Sequence, residues 1–224
     1  MKISVIGTGK TGSKVIESLG ERLLHTFDDS NPPTKEQLAE ADAVIIFVPG
    51  DAVNDILETV LASGTPAAWG STGFEWPEDL DRRVQTLRTK WVLATNFSLG
   101  MNLIRKAIQS MSAGAGVLKD PAFHIHEVHH IHKKDAPSGT AISWKEWLDQ
   151  PVNVTSEREG DVNGIHELTI KTATEEITLK HDALDRSIFA EGAIWAAEQL
   201  VHNEHISDGV HTFGELFDRV TQTK

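Results

Sequence analysis

Three observations predict an α/β chain in two domains. A β-branched apolar run at residues 2–6 leads at once into Gly7-Thr8-Gly9-Lys10-Thr11-Gly12, then into a helical pattern carried by Val15, Ile16 and Leu19. Further short apolar runs alternate with helical patterns as far as residue 97, the rhythm of βαβ units on a parallel sheet. Beyond that, a long helix, an alternating strand and a hairpin pattern read as an α+β domain with an open mixed sheet. The expected division is 1–97, completed by 187–224, for the first domain and 98–186 for the second.

At 224 residues the chain has room for that arrangement. Its formal charge of −12 argues against a nucleic-acid surface, which needs clustered Lys and Arg. A local cationic pocket for a small anion is still compatible with an acidic shell. With no cysteine, disulfides, thiolate catalysis and Cys-type zinc sites are excluded. The first apolar stretch is too short for a signal peptide, and no run reaches membrane-spanning length. A cytoplasmic protein without a membrane partner is expected.

Strand, G-x-G-x-x-G and helix in succession are the context of a dinucleotide-binding, Rossmann-like domain. Gly7 permits the tight turn, Gly9 lets the backbone approach a pyrophosphate, and Gly12 lets helix and strand pack closely. Thr8, Lys10 and Thr11 complete the loop, with Lys10 either facing phosphate or solvated. Gly20 suits the helix end. Leu23 to Phe27 reads as the second strand, and Asp28 after it stands where a ribose 2′-hydroxyl is held. No arginine follows Asp28 to receive a 2′-phosphate, and Arg22 precedes the strand, which tilts the cofactor toward NADH over NADPH. Asn31-Pro32-Pro33-Thr34 breaks the chain before a short helix at 35–40. Ala43 to Val48 reads as a buried parallel strand, followed by a turn at Pro49-Gly50-Asp51 and a helix at 53–61. Pro66 to Trp69 and Trp91 to Ala94 are further strands, separated by a helix at 77–87. Leu99 to Ala113 reads as a helix closed by Gly114 and Gly116. Phe123 to Ile131 alternates as a strand, with His124, His126 and His130 on one face and His129 on the other. Residues 151–160 read as a polar connection. Residues 164–172 and 176–182 form a hairpin, and helices cover 187–201 and 213–220.

Glu127 to Ala141 concentrates the chemistry: Glu127-Val128-His129-His130-Ile131-His132-Lys133-Lys134-Asp135-Ala136-Pro137-Ser138-Gly139-Thr140-Ala141. Ser138, Gly139 and Thr140 precede an amphipathic helix, whose start carries unpaired N–H groups and a partial positive charge that suit a carboxylate. Imidazoles beside it can donate and accept a proton near neutrality. The reading is a pocket for a small acidic substrate that must receive a proton. A histidine metal site is disfavoured, because no H-x-x-x-H helix is present and acidic neighbours are few. His124, His126 and His132 read as structural or solvent-facing, and Lys134 as a surface charge.

This run resembles the signature of the 4-hydroxy-tetrahydrodipicolinate reductase (dihydrodipicolinate reductase) family, Glu-x-His-His-x-x-Lys-x-Asp-Ala-Pro-Ser-Gly-Thr-Ala. Gly70-Ser71-Thr72-Gly73-Phe74 resembles that family's Gly-Thr-Thr-Gly-Phe beside the cofactor. Ala94-Thr95-Asn96-Phe97-Ser98 resembles its Ala-Pro-Asn-Phe-Ser bend, with Thr95 in place of the usual Pro or Ala. The resemblance implies hydride transfer from NADH or NADPH to a small cyclic dicarboxylate in lysine and diaminopimelate synthesis. It makes His129 and Lys133 the acid–base pair, with His130, Ser138, Gly139 and Thr140 holding substrate. Backbone around Gly70, Ser71, Thr72, Ala94, Thr95, Asn96 and Phe97 would meet the cofactor. Arg158, Gly160-Asp161, Gly164, His181 and Arg186 match a further family pattern, read as fold and interface. A homotetramer assembled through the second domain's sheet is implied. The rival readings are another nicotinamide dehydrogenase of a small amino or keto acid, and a non-catalytic NAD-binding sensor.

Overall fold

The first strand, β1 (Ile3–Ile6), is buried along its whole length. Ile3 and Val5 enter one apolar core and Ile6 the other. The strand β3 (Ala43–Ile46) repeats this, sending Ala43 and Ile45 one way and Val44 and Ile46 the other. Strands apolar at every position belong inside a parallel sheet covered on both faces. Residues 1–222 are described by the structure, a computed structural model, and they divide into two compact units.

The first unit comprises Met1–Leu99 and the described residues from Ser187 on. Its other strands are β2 (Leu23–Phe27), β4 (Ala67–Trp69), β5 (Lys90–Leu93) and β10 (Gly209–Thr212). They form a six-stranded sheet in the order β10-β5-β4-β3-β1-β2, parallel throughout. One face is covered by α1 (Lys10–Leu19), α7 (Ser187–His202) and α8 (Phe213–Gln222), through Val15, Leu19, Ala190, Ala193, Leu200 and Leu216. The other is covered by α2 (Lys35–Ala39), α3 (Val53–Ser63) and α4 (Leu80–Thr86). Small residues let α7 pack close: a Cβ at Gly192 would lie 1.7 Å from the Phe97 carbonyl oxygen.

The second unit spans Gly100–Arg186. It contains α5 (Leu99–Ala115) from its second residue, β6 (Ala122–His129), α6 (Gly139–Leu148), β7 (Val152–Arg158), β8 (Ile165–Lys171) and β9 (Glu176–Asp182). The sheet order is β7-β6-β8-β9, with β7 parallel to β6 and the other pairs antiparallel. Ile125, Leu168 and Ile170 on one face pack against Ile108, Trp144 and Leu148 of the two helices. The other face carries His124, His126, Thr155, Glu167 and Thr169 by strand alternation.

Several expectations change. Residues 152–158, read as a polar connection, are a strand at the sheet edge. Only Val152 and Val154 of that segment are apolar residues packed on the core, while Ser156 and Arg158 on the same face are polar and meet Glu127, so its composition looks like a loop. Gly209–Thr212 forms the edge strand β10, too short and too polar to stand out. Gly114 does not close α5 but lies within it. The helix expected from residue 77 starts at Leu80, and β6 stops at His129, leaving His130 and Ile131 beyond it.

Candidate active site

In the first unit the sheet brings separate loops to one edge. Backbone hydrogen bonds continue one residue past the strands: Gly7 N donates to Phe27 O, Phe47 N to Ile6 O, Gly70 N to Ile46 O and Ala94 N to Trp69 O. The loops starting at Gly7, Asp28, Gly70 and Ala94 therefore all leave from the carboxyl end. The chain runs outward in opposite directions from β1 and β3, the switch point where open α/β sheets take ligands. A Cβ on Gly7, which has φ +94°, would sit 2.1 Å from the Phe47 carbonyl oxygen, and one on Gly12 would sit 1.8 Å from that of Gly7. Gly9 differs, because a Cβ there would meet nothing within 4 Å. Gly9 is also the N-cap of α1 and supplies no side-chain acceptor, so the first-turn N–H groups stay available to an anion.

Asp28 stands beside this turn. Its Oδ1 accepts from Ser30 N, Ser30 Oγ and Asn31 N at 2.6–3.2 Å, and its Oδ2 receives the Thr8 hydroxyl at 3.4 Å. Hydrogen bonds from Ser30 hold the carboxyl below its ordinary range. Arg22 is committed elsewhere, to Glu198 at 2.6 Å. Lys10 and Thr72 are exposed, and Thr11 is half-buried. Ser71 is buried, its hydroxyl without a hydrogen-bond partner. Phe97 is core, packed edge-on against Phe47 and Phe213, so its side chain is not presented to a ligand. Asn96 Oδ1 accepts from Ser98 N at 2.8 Å, which makes it a turn residue. Ala94 and Thr95 lie at the end of β5. An uncapped helix start, an orphaned buried hydroxyl and a carboxylate beside the turn fit a dinucleotide.

In the second unit, β6 delivers Glu127 and His129 to the inner face, where alternation puts them in line with Ile125. Glu127 is fully buried. Its Oε2 lies 2.7 Å from His129 Nδ1, an ion-pair approach rather than a well-aligned hydrogen bond. Its Oε1 accepts from Ser138 N at 3.1 Å and from Arg158 Nη2 at 3.2 Å. Arg158 also donates to the Lys133 and Asp135 carbonyls, fastening the loop after β6 to β7. Ser138 caps α6, its Oγ accepting from Ala141 N at 3.1 Å while bonded to His166 Nε2 at 3.1 Å. Lys133 pairs with Asp135 at 2.9 Å. Gly139 is exposed and Thr140 half-buried in the first turn of α6.

Charge balance explains the protonation states. Burial pushes the Glu127 carboxyl up, but bonds from Ser138 and Ser156 and the charge of His129 outweigh it and hold it at about 2. Burial drives His166 down to about 4, reinforced by His129. His129 is lowered too, by burial and then by Lys133 and Arg158, with Glu127 opposing them. Glu127, His129 and His166 offer ligand atoms within 4.8 Å of one another, a grouping the spacing argument against metal did not foresee. Both imidazoles face Oε2 of the carboxylate, while Arg158 pairs with the other oxygen, Oε1, at 3.2 Å.

The predicted residues sort accordingly. His129, Lys133, Ser138, Gly139 and Thr140 come together around the loop from β6 to α6. His130 is half-buried past the strand end, its ring 6.2 Å from that of His132. The Ser138 hydroxyl caps α6 and meets His166, and the Gly139 and Thr140 amides follow it in the first turn. His124 and His126 both bond the Thr155 hydroxyl on the outer face. Arg186 is exposed. Sequence reasoning missed the roles of Glu127, Arg158 and His166. The available signal was parity: an acid and a histidine at inward positions among Ile125, Leu168 and Ile170.

Comparison with known proteins gives consistent results. The family model described as dihydrodipicolinate reductase, C-terminus, matches residues 100–216. A curated 4-hydroxy-tetrahydrodipicolinate reductase of Alkaliphilus metalliredigens is 30% identical over 229 aligned residues, covering 90% of this chain and 94% of its own. One from Haloarcula marismortui is 33% identical, covering 80% and 77%. Among solved structures, a dipicolinate-bound dihydrodipicolinate reductase from Paenisporosarcina sp. TG-14 aligns with a TM-score of 0.74 over 95% of this chain and 97% of its own. At 17% identity that likeness speaks to fold alone. Among the described residues, no helix is long and apolar enough to cross a membrane.

Proposed function

The chain belongs to the dihydrodipicolinate reductase family, and from that premise we infer that it reduces 4-hydroxy-tetrahydrodipicolinate to tetrahydrodipicolinate, with His129 supplying the proton. It is a nicotinamide-dependent oxidoreductase of lysine and diaminopimelate biosynthesis acting on a small cyclic substrate. The bound nicotinamide supplies the hydride. The loop from Gly7 to Gly12 would hold the pyrophosphate through its amides, and Asp28 the ribose.

The observation that carries the reading is the juxtaposition around Glu127. A histidine at the end of β6 and the start of α6 both meet one buried carboxylate, and the charge of Lys133, four residues after the histidine, acts on that imidazole. The amides of Gly139 and Thr140, with His130, would hold a substrate carboxylate, because the helix start is both unpaired and partly positive. The 4-hydroxyl leaves as water, so the overall conversion takes up one hydride and one proton and releases one water; reduction leaves electron density on the ring system, and protonation at a neighbouring atom must follow. His129 donates that proton, and Lys133 adds positive charge and a second acid. Holding substrate and acid in register is what the protein contributes beside the cofactor's chemistry.

Asp28 favours NADH. Its carboxylate would repel a 2′-phosphate, and the nearest arginine, Arg22, is tied to Glu198. A homotetramer through the second unit's sheet and a cytoplasmic setting complete the proposal. The test is oxidation of NADH and of NADPH, followed by absorbance, with freshly made 4-hydroxy-tetrahydrodipicolinate. Turnover with a lower KM for NADH is expected. No turnover with either cofactor would overturn the assignment, and a clear preference for NADPH would overturn the role of Asp28.

A further inference from the structure

We propose that Glu127 is the positioning residue of the reaction: its carboxylate keeps the His129 ring with a proton on Nδ1 and frees Nε2 for the substrate, while anchoring the start of α6. This deepens the reading of His129 as proton donor and rests on it. The two carboxylate oxygens have separate tasks. Oε2 faces His129 Nδ1 at 2.7 Å, and Oε1 takes the Ser138 amide and the Arg158 guanidinium at 3.1 and 3.2 Å. One buried group therefore sets both the acid and the helix end that would receive the substrate carboxylate. Burying a carboxylate is costly unless it is compensated: Oε1 is hydrogen-bonded twice, whereas Oε2 has chiefly the close approach of His129 Nδ1 to balance it, which ties that oxygen to the imidazole.

The other ring nitrogen is treated differently. Gly164 lies against it, and a Cβ at that position would come 3.0 Å from His129 Nε2. The missing side chain leaves that nitrogen room. His166 meets the His129 ring edge-on at 5.0 Å, restricting its rotation. A carboxylate beside one imidazole nitrogen fixes the tautomer and so decides which nitrogen the other side presents.

The groups facing His129 are Glu127 on its own strand, Lys133 and Asp135 on the following loop, Arg158 on β7 and His166 on β8. Among them Glu127 is the main charge favouring the imidazolium. Removing that charge makes the imidazolium easier to deprotonate. The limb on which rate falls with rising pH then moves to lower pH.

The experiment is a pH profile of kcat and kcat/KM for wild type, Glu127→Gln, Glu127→Asp and His129→Gln. The expected result for Glu127→Gln is at least a tenfold loss of kcat, an unchanged KM for the nicotinamide and a falling limb displaced by about one pH unit or more. Glu127→Asp, which restores the charge, should return the limb toward its original place. In His129→Gln the limb should vanish. A limb that stays put in Glu127→Gln but vanishes in His129→Gln overturns the positioning role and leaves the functional reading intact. A limb that survives in His129→Gln overturns both. Should Glu127→Gln not fold, nitrogen NMR of 15N-histidine-labelled wild type decides: neutral His129 protonated on Nδ1 supports the proposal, and protonation on Nε2 overturns it.

Discussion

The two units build their candidate sites in opposite ways. At the sheet edge of the first unit the working surface is backbone. Gly7 and Gly12 are glycines because other chain atoms already occupy the space of a Cβ, and Gly9 is one in open space. At the end of β6 the working surface is side chain, and its energy lies in a fully buried carboxylate with an arginine and two histidines around it. A backbone site is damaged by adding atoms. A side-chain site is damaged by removing a charge and stranding its partner.

The largest effect should come from stranding Glu127. Arg158→Met leaves a buried carboxylate without its cation, and breaking such a pair costs about 3–5 kcal/mol. Denaturant unfolding at neutral pH measures it, and a loss below about 1 kcal/mol would show that the bonds from Ser138 suffice alone. The same carboxylate sets an acid limit on stability. Its folded pKa lies near 2 against an ordinary 4.5, so the unfolded chain binds the proton first as pH falls. The stability it contributes is complete above about pH 4.5 and lost toward pH 2. His166, held near 4 against 6.5, adds an earlier loss between those values. Unfolding midpoints taken across this range should therefore fall in two stages, and the upper stage, to which the lowered His129 and His181 also contribute, should shrink in His166→Asn.

A smaller effect separates the glycines. Gly12→Ala should destabilise by about 1–3 kcal/mol through overpacking. Gly9→Ala should leave the unfolding midpoint nearly unchanged and weaken nucleotide binding instead. Equal stability losses in the two variants would break the distinction between packing and ligand approach. Smaller still is Gly164→Ala, which presses a methyl toward His129 Nε2. It should lower kcat about tenfold, some 1.4 kcal/mol, without altering cofactor affinity.

The first unit was far more legible in the sequence than the second, and the reason is physical. Strands such as Val44-Ile45-Ile46 are buried on both sides, so composition alone announces them, and the glycine pattern is local. The edge strand Val152–Arg158 has one face in water and reads as polar connection. The run from Glu127 to Ala141 was legible as chemistry through its resemblance, which marked His129 and Lys133. The network that holds His129 was not, because Arg158 and His166 arrive from strands 31 and 39 residues beyond Glu127 in the chain, joined only by sheet pairing. Ser138 adds a role the motif did not announce: its hydroxyl caps α6.

The central claim is that an imidazole fixed at the end of β6 completes a reduction begun by a nicotinamide. Its most direct measurement is the turnover of His129→Gln beside wild type, with 4-hydroxy-tetrahydrodipicolinate and NADH, together with the affinity of each protein for NADH. The account predicts a fall in kcat of about 10²–10⁴-fold with unchanged NADH affinity. A variant that turns over at the wild-type rate would contradict it.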